Sequence, residues 1–175
     1  MKVAPLLLWA LCLAAPLSTA RSAHAEELPE YGLKAAFLYN FALFTEWPAE
    51  VGPTLNLCVV GPDPFGKDID GLQGKAVGAR SIAVQRRRAN QPLESCQVLF
   101  LSAPGIDALP AVLEAVRGRP VLTVADSPGA ARQGVALNMT VVRSKVVFEA
   151  NLRAARAAGI VLSSKLLRLA TEVVQ

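Results

Sequence analysis

Few residues in this chain of 175 are of the types that carry chemistry: three cysteines, one histidine, and 14 carboxylates against 18 Lys and Arg. Cys58 lies inside the apolar run Leu55 to Val60, and Cys96 stands just before the apolar run Val98 to Leu101. If those runs are neighbouring strands, the two thiols come within disulfide reach, roughly 4.4–6.8 Å between Cα atoms. Two buried free thiols are the alternative. Neither residue belongs to a C-x-x-C pair, which argues against redox catalysis.

The remaining Cys12 and His24 fall in a segment that reads as an export signal. Lys2 supplies a short positive start, Val3 to Leu17 is apolar, and Ala23-His24-Ala25 is a small-x-small cleavage site. The apolar run is short of the roughly 20 residues needed to span a bilayer. Cleavage after Ala25 leaves residues 26–175 as an exported domain, and a chain of about 150 residues buries roughly two thirds of its unfolded surface. Lys2 and Arg21 leave with the signal and no acidic residue does, so the net charge falls from +4 to +2. Without His24 the exported protein has no imidazole, which removes Ser-His-Asp and Cys-His catalysis and the usual zinc sites. No catalytic residue, metal ligand or cofactor is expected. A hydrolase built on carboxylates is left without a closely spaced acidic pair.

Weaker candidates remain. Gly61, Asp63 and Asp126 follow apolar runs, where open α/β sheets place ligands, and they mark a candidate small-molecule crevice. Helix caps or turn carboxylates are the plainer roles for the two acids. Pro62 and Pro64 remove N–H donors that a phosphate loop would need. Arg86-Arg87-Arg88 reads as a solvated sheet edge rather than a nucleic-acid site, because the exported charge is low. Asn138-Met139-Thr140 matches a glycosylation sequon, but Met139 alternates inward within a strand. Tyr39 and Trp47 fall off the apolar stripe of the first helix, and an amphipathic ring beside Glu46 suits a partner contact.

The elements that must position these residues follow from periodicity. Glu30 to Trp47 reads as a helix, with Leu33, Phe37, Phe41 and Phe44 at helical spacing, Ala36 and Asn40 on the same side, and Pro48 ending it. Leu55 to Val60, Val98 to Leu101 and Val121 to Val124 are continuous apolar runs of the kind buried in a parallel sheet. Ile106 to Val116 forms a helix between the last two, giving a βαβ unit. Ser81 to Arg86 reads as a strand near an edge. Val135 to Val141 and Lys145 to Glu149 form a hairpin about Arg143-Ser144. Two short helices close the chain, Leu152 to Ala158 capped by Asn151 and stopped by Gly159, and Ser164 to Val174 capped by Ser163. The expectation is one α/β domain over residues 26–175, with a mostly parallel sheet and a C-terminal hairpin followed by two short helices.

Several blocks together resemble the YfiR family of bacterial periplasmic proteins. They are Leu33 to Phe41, Thr45-Glu46-Trp47-Pro48, Leu57 to Gly61, Cys96 to Leu101, Val121 to Val124 with Asp126, Phe148 to Leu152, and Leu162 to Ala170. The resemblance implies a three-layer α/β/α sandwich, a periplasmic location and no enzymatic activity. It implies a regulator that inhibits an inner-membrane diguanylate cyclase through its periplasmic part and so lowers cyclic di-GMP. Such regulators are relieved when an outer-membrane lipoprotein captures them, and a homodimer is left open. Cys58 and Cys96 fall where the family places a disulfide. The blocks point to a partner-binding surface at Glu46, Trp47, Glu149, Asn151 and Ser163, with core or capping roles for Asn151 and Ser163 as the alternative. A periplasmic small-molecule sensor serving another membrane receptor is the competing reading, and it would use Gly61, Asp63 and Asp126.

Overall fold

A computed structural model describes residues 30–175. The expected signal peptide, with Cys12 and His24, lies outside the described residues. Helix α1 (Glu30–Leu43) precedes strand β1 (Thr45–Glu46), and β2 (Thr54–Val60) opens the main sheet. Next come α2 (Lys67–Asp70), β3 (Ala76–Val77), β4 (Arg80–Arg87) and β5 (Val98–Leu101). A 310 turn (Ala103–Ala108) leads into α3 (Leu109–Ala115) and then β6 (Leu122–Ala125). The chain ends with β7 (Leu137–Val142), β8 (Lys145–Asn151), α4 (Leu152–Ala157), β9 (Val161–Leu162), α5 (Ser164–Leu167) and β10 (Glu172–Val174).

The eight-stranded sheet has the order β10-β8-β7-β6-β5-β2-β4-β3, and β1 pairs with β9 in a separate two-stranded sheet. The β7–β8 and β3–β4 pairings are antiparallel, and the other pairings of the main sheet are parallel. Read along the parallel strands, β4-β2-β5-β6-β7 is the 2-1-3-4-5 order of a doubly wound sheet, which reverses direction between β2 and β5. Helices cover both faces. Phe41 of α1 and Ile69 of α2 pack with Leu57, Val59 and Phe100, whereas Leu109 and Val112 of α3 pack with Cys58, Val60 and Leu99. The apolar runs read as parallel strands are β2, β5 and β6, the middle three of the five strands β4-β2-β5-β6-β7, and Arg143 and Ser144 make the hairpin turn with φ of 49° and 61°.

Three expectations are corrected. Helix α1 stops at Leu43 rather than Trp47, because the Thr45 hydroxyl donates to the Phe41 carbonyl at 2.7 Å and the Trp47 indole donates to the Ala42 carbonyl at 3.1 Å. Those side chains satisfy carbonyls that another helical turn would have used. The buried stripe of α1 is Lys34, Ala35, Leu38, Phe41 and Ala42, whereas Ala36 and Asn40 are exposed. Finally, the expected helix Ser164 to Val174 is helical only to Leu167. Thr171 donates its N–H to the Phe148 carbonyl at 2.8 Å, and Glu172–Val174 becomes a strand beside β8. The β-branched residues of this tail meet a waiting sheet edge, and long-range pairing overrides the local helical pattern.

Candidate functional site

The carboxyl ends of β2, β5 and β6 converge at the point where the strand order reverses, the usual ligand crevice of such sheets. Gly61 ends β2 with φ of 85° and hands its N–H to the Arg87 carbonyl at 2.8 Å. A Cβ built on it would stand 3.8 Å from the Gly105 Cα, so the loops after β2 and β5 lie against each other. Ser102 strengthens this closure by donating its hydroxyl to the Pro62 carbonyl at 2.9 Å. Asp63 is a turn carboxylate. One of its oxygens accepts the Phe65 N–H and the other accepts Arg86 Nε at 2.7 Å. Arg86 also meets Asp70 at 2.8 Å, so the first residue of the arginine run clamps α2 to β4 instead of standing free in solvent.

Asp126 is the most heavily engaged residue of the crevice. Its Oδ1 accepts the Ala103 N–H at 2.8 Å, and its Oδ2 accepts Lys34 Nζ at 2.7 Å and the Tyr31 hydroxyl at 3.1 Å. The Lys34 and Asp126 side chains are only 4% and 1% exposed. Lys34 also pairs with the half-exposed Glu30 one turn earlier, and its ammonium lies 4.4 Å from the centre of the Tyr31 ring. The Tyr31 ring in turn packs edge-on against Phe65 at 5.3 Å. The first turn of α1 therefore occupies the crevice that Gly61, Asp63 and Asp126 delimit. A ligand there would have to displace a charge pair.

Burial alone would lower the Lys34 pKa, but hydrogen bonds to Asp126 and Glu30 outweigh it and hold the ammonium above its ordinary 10.5. Burial, then the Asp126 carboxylate, pushes the Tyr31 phenol above its ordinary 10.0. Both shifts favour the protonated form in the folded state. Their stabilisation is complete below the unfolded values and is lost as pH rises through the folded ones. The melting temperature should therefore hold from neutral pH to about pH 10 and fall above it. A Lys34→Met/Asp126→Leu variant should show a shallower alkaline fall in calorimetry, and an equally steep fall would contradict this origin.

The five residues of the expected partner surface do not form one patch. Glu46 and Ser163 come together: Glu46 pairs with Val161 across β1 and β9, and Ser163 donates its N–H to the Phe44 carbonyl at 3.0 Å. Both line an open groove of about 350 Å3 with Leu43, Thr45, Ser164 and Lys165. Trp47 follows directly, but its indole N–H is spent on α1 and its ring packs partly on the core. Glu149 lies elsewhere. It alternates with Phe148 and Ala150, which pack on the α1 side, so it projects from the opposite face, where Asn138 donates to it at 3.3 Å. Asn151 is buried, caps α4 by accepting the Ala154 N–H at 2.9 Å, and donates to the Ala131 carbonyl at 2.7 Å. Ser163 likewise caps α5, accepting the Leu166 N–H at 3.3 Å. Tyr39 ties α1 to β3 by donating to the Ala76 carbonyl at 2.9 Å.

Cys58 and Cys96 are joined by a disulfide, with Cα atoms 5.8 Å apart. Cys58 lies within β2 opposite Leu99 of β5, so the neighbouring-strand arrangement holds. Among the described residues, no group of three or more His, Cys, Asp or Glu is placed to hold a metal ion. No described helix is long and apolar enough to cross a membrane. Sequence reasoning missed Lys34 and Tyr31. Lys34 sits four residues before Leu38 and seven before Phe41, and that spacing was the available signal.

Residues 31–171 match a family model described as YfiR/HmsC-like. Two solved structures share the fold. An ABC domain in complex with L-Trp from Streptococcus pneumoniae is 8% identical with a TM-score of 0.51, over 69% of this chain and 55% of that one. A conserved domain protein from Vibrio cholerae O1 biovar El Tor is 10% identical with a TM-score of 0.53, over 82% of this chain and 60% of that one. The chain thus spans less than two thirds of either, and at these identities the likeness is one of fold alone.

Proposed function

This chain belongs to the YfiR/HmsC-like family, and from that premise we propose that it is a periplasmic regulator of diguanylate cyclase signalling that acts by binding. Its signal-like first 25 residues would send it to the periplasm, with cleavage after Ala25. There it holds an inner-membrane diguanylate cyclase inactive by contacting the cyclase's periplasmic part, and an outer-membrane lipoprotein relieves the inhibition. The family match over residues 31–171 carries this reading. The groove between β1 and the start of α5 supports its placement, because exposed Leu43 lines it with Glu46 and Lys165, and exposed Val161 stands opposite Glu46 on β9. An apolar contact ringed by opposite charges is a common composition for a protein-binding patch.

Titration of the purified protein against the cyclase's periplasmic part tests the surface. Glu46→Arg and Val161→Asp change exposed side chains and should leave the fold intact, yet each should weaken binding about tenfold or more, the size expected of a central interface residue. Unchanged affinity in both variants would move the interface away from this groove.

A further inference from the structure

The β7–β8 hairpin outruns its neighbours. Strand β6 pairs with β7 only at Leu137 and Asn138, and β10 pairs with β8 only from Glu149 onward. Beyond those pairings, the described residues from Met139 to Val147 continue as a two-stranded ribbon, with Thr140 opposite Val147 and Val142 opposite Lys145. Val141 is 45% exposed and Val142 is 51% exposed, and alternation along the strand sends them to opposite faces. Arg143 in the turn and Lys145 at the start of β8 have no ion-pair partner among the described residues. Because β10 runs parallel to β8, the chain enters it from the tip end of the hairpin, and the 69% exposed Leu169 and Arg168 lie three and four residues before its first residue, Glu172. No acidic residue occurs from 127 to 148 or from 150 to 171.

We propose that this ribbon tip, together with Arg168 and Leu169, is an insertion surface for an anionic phospholipid bilayer. The cations would meet lipid phosphates while the valines and Leu169 enter the boundary between headgroups and acyl chains. The surface is convex and apolar on both faces. A flat protein partner would cover one face, whereas a fluid interface wets both. A second copy meeting tip to tip would bring Arg143 and Lys145 against their own like charges. This inference goes beyond the regulatory reading and needs no cyclase, so the two can fail separately.

Sedimentation of the purified protein with vesicles provides the test. At low salt it should bind vesicles of equal parts phosphatidylglycerol and phosphatidylcholine about a hundredfold more tightly than pure phosphatidylcholine, at about fivefold for each of three cations. The Arg143→Asn/Lys145→Gln variant keeps a residue that tolerates the left-handed turn, so melting should be preserved. Its binding should fall about thirtyfold. Val142→Ser/Leu169→Ser leaves the charge unaltered and should cost several-fold more. Indifference to lipid charge, no binding to anionic vesicles, or serine substitutions without effect would overturn the proposal. If the same variants instead weaken capture of the cyclase's periplasmic part or of a second copy while vesicles are ignored, the tip is a protein interface and the lipid assignment falls.

Discussion

Replacing Asp126 with alanine is expected to lower stability by about 3–5 kcal/mol, the cost of leaving one member of a buried ion pair without its partner. For a chain of this size that corresponds to about 6–20 °C in melting temperature. Three donors lose their acceptor at once: the Lys34 ammonium, the Tyr31 hydroxyl and the Ala103 N–H. The half-exposed Glu30 still reaches Lys34 at 2.5 Å, which favours the lower end of the range. Lys34→Met/Asp126→Leu should recover much of the loss, since an apolar pair of similar volume avoids desolvating two charges. Urea unfolding of the single and double variants measures both effects. A single-variant loss under about 1 kcal/mol would place Asp126 among solvated surface pairs and contradict its role in fastening α1 over the sheet.

Removing the disulfide should have a comparable effect. The bridge closes a loop of 38 residues, and the chain-entropy model assigns about 4 kcal/mol to a loop of that length. Both cysteines are fully buried among Val60, Leu99 and Leu101, so Cys58→Ala/Cys96→Ala also loses packing between β2, β5 and α3. Its urea midpoint should drop well below that of the native protein, with a steeper transition because the unfolded chain without the cross-link exposes more surface. A double variant that unfolds at the native midpoint would show that the core between these strands holds the loop without the covalent link.

Much of this fold was legible because its central strands announce themselves. Leu55 to Val60, Val98 to Leu101 and Leu122 to Ala125 are buried on both faces, so apolar continuity alone identifies them. The caps at Asn151 and Ser163 are equally local, since each needs only its own side chain and an N–H three residues on. What stayed hidden depends on distant partners. Strand β1 exists because Thr45 and Glu46 meet Leu162 and Val161, and β10 exists because β8 offers it an edge. No periodicity in a stretch of two or three residues records such a pairing.

The candidate site divides along the same line. Asp126 was placed in the crevice by its position after a strand, but its tie to Lys34 spans 92 residues and draws a lysine into a stripe that sequence assigns to apolar side chains. Glu149 and Asn151 are near neighbours in sequence to the closing helices, yet strand alternation turns Glu149 to the face away from α1, and Asn151 is consumed as a cap. Of the residues grouped with Glu46 by sequence, Ser163 is the one brought into its groove.

Cellular cyclic di-GMP, measured in strains with and without this protein and with the cognate cyclase intact, tests the regulatory account most directly. Deletion should raise the nucleotide, and restoring the native chain should return it to the starting level. Unchanged cyclic di-GMP on deletion would contradict inhibition of a diguanylate cyclase by this protein.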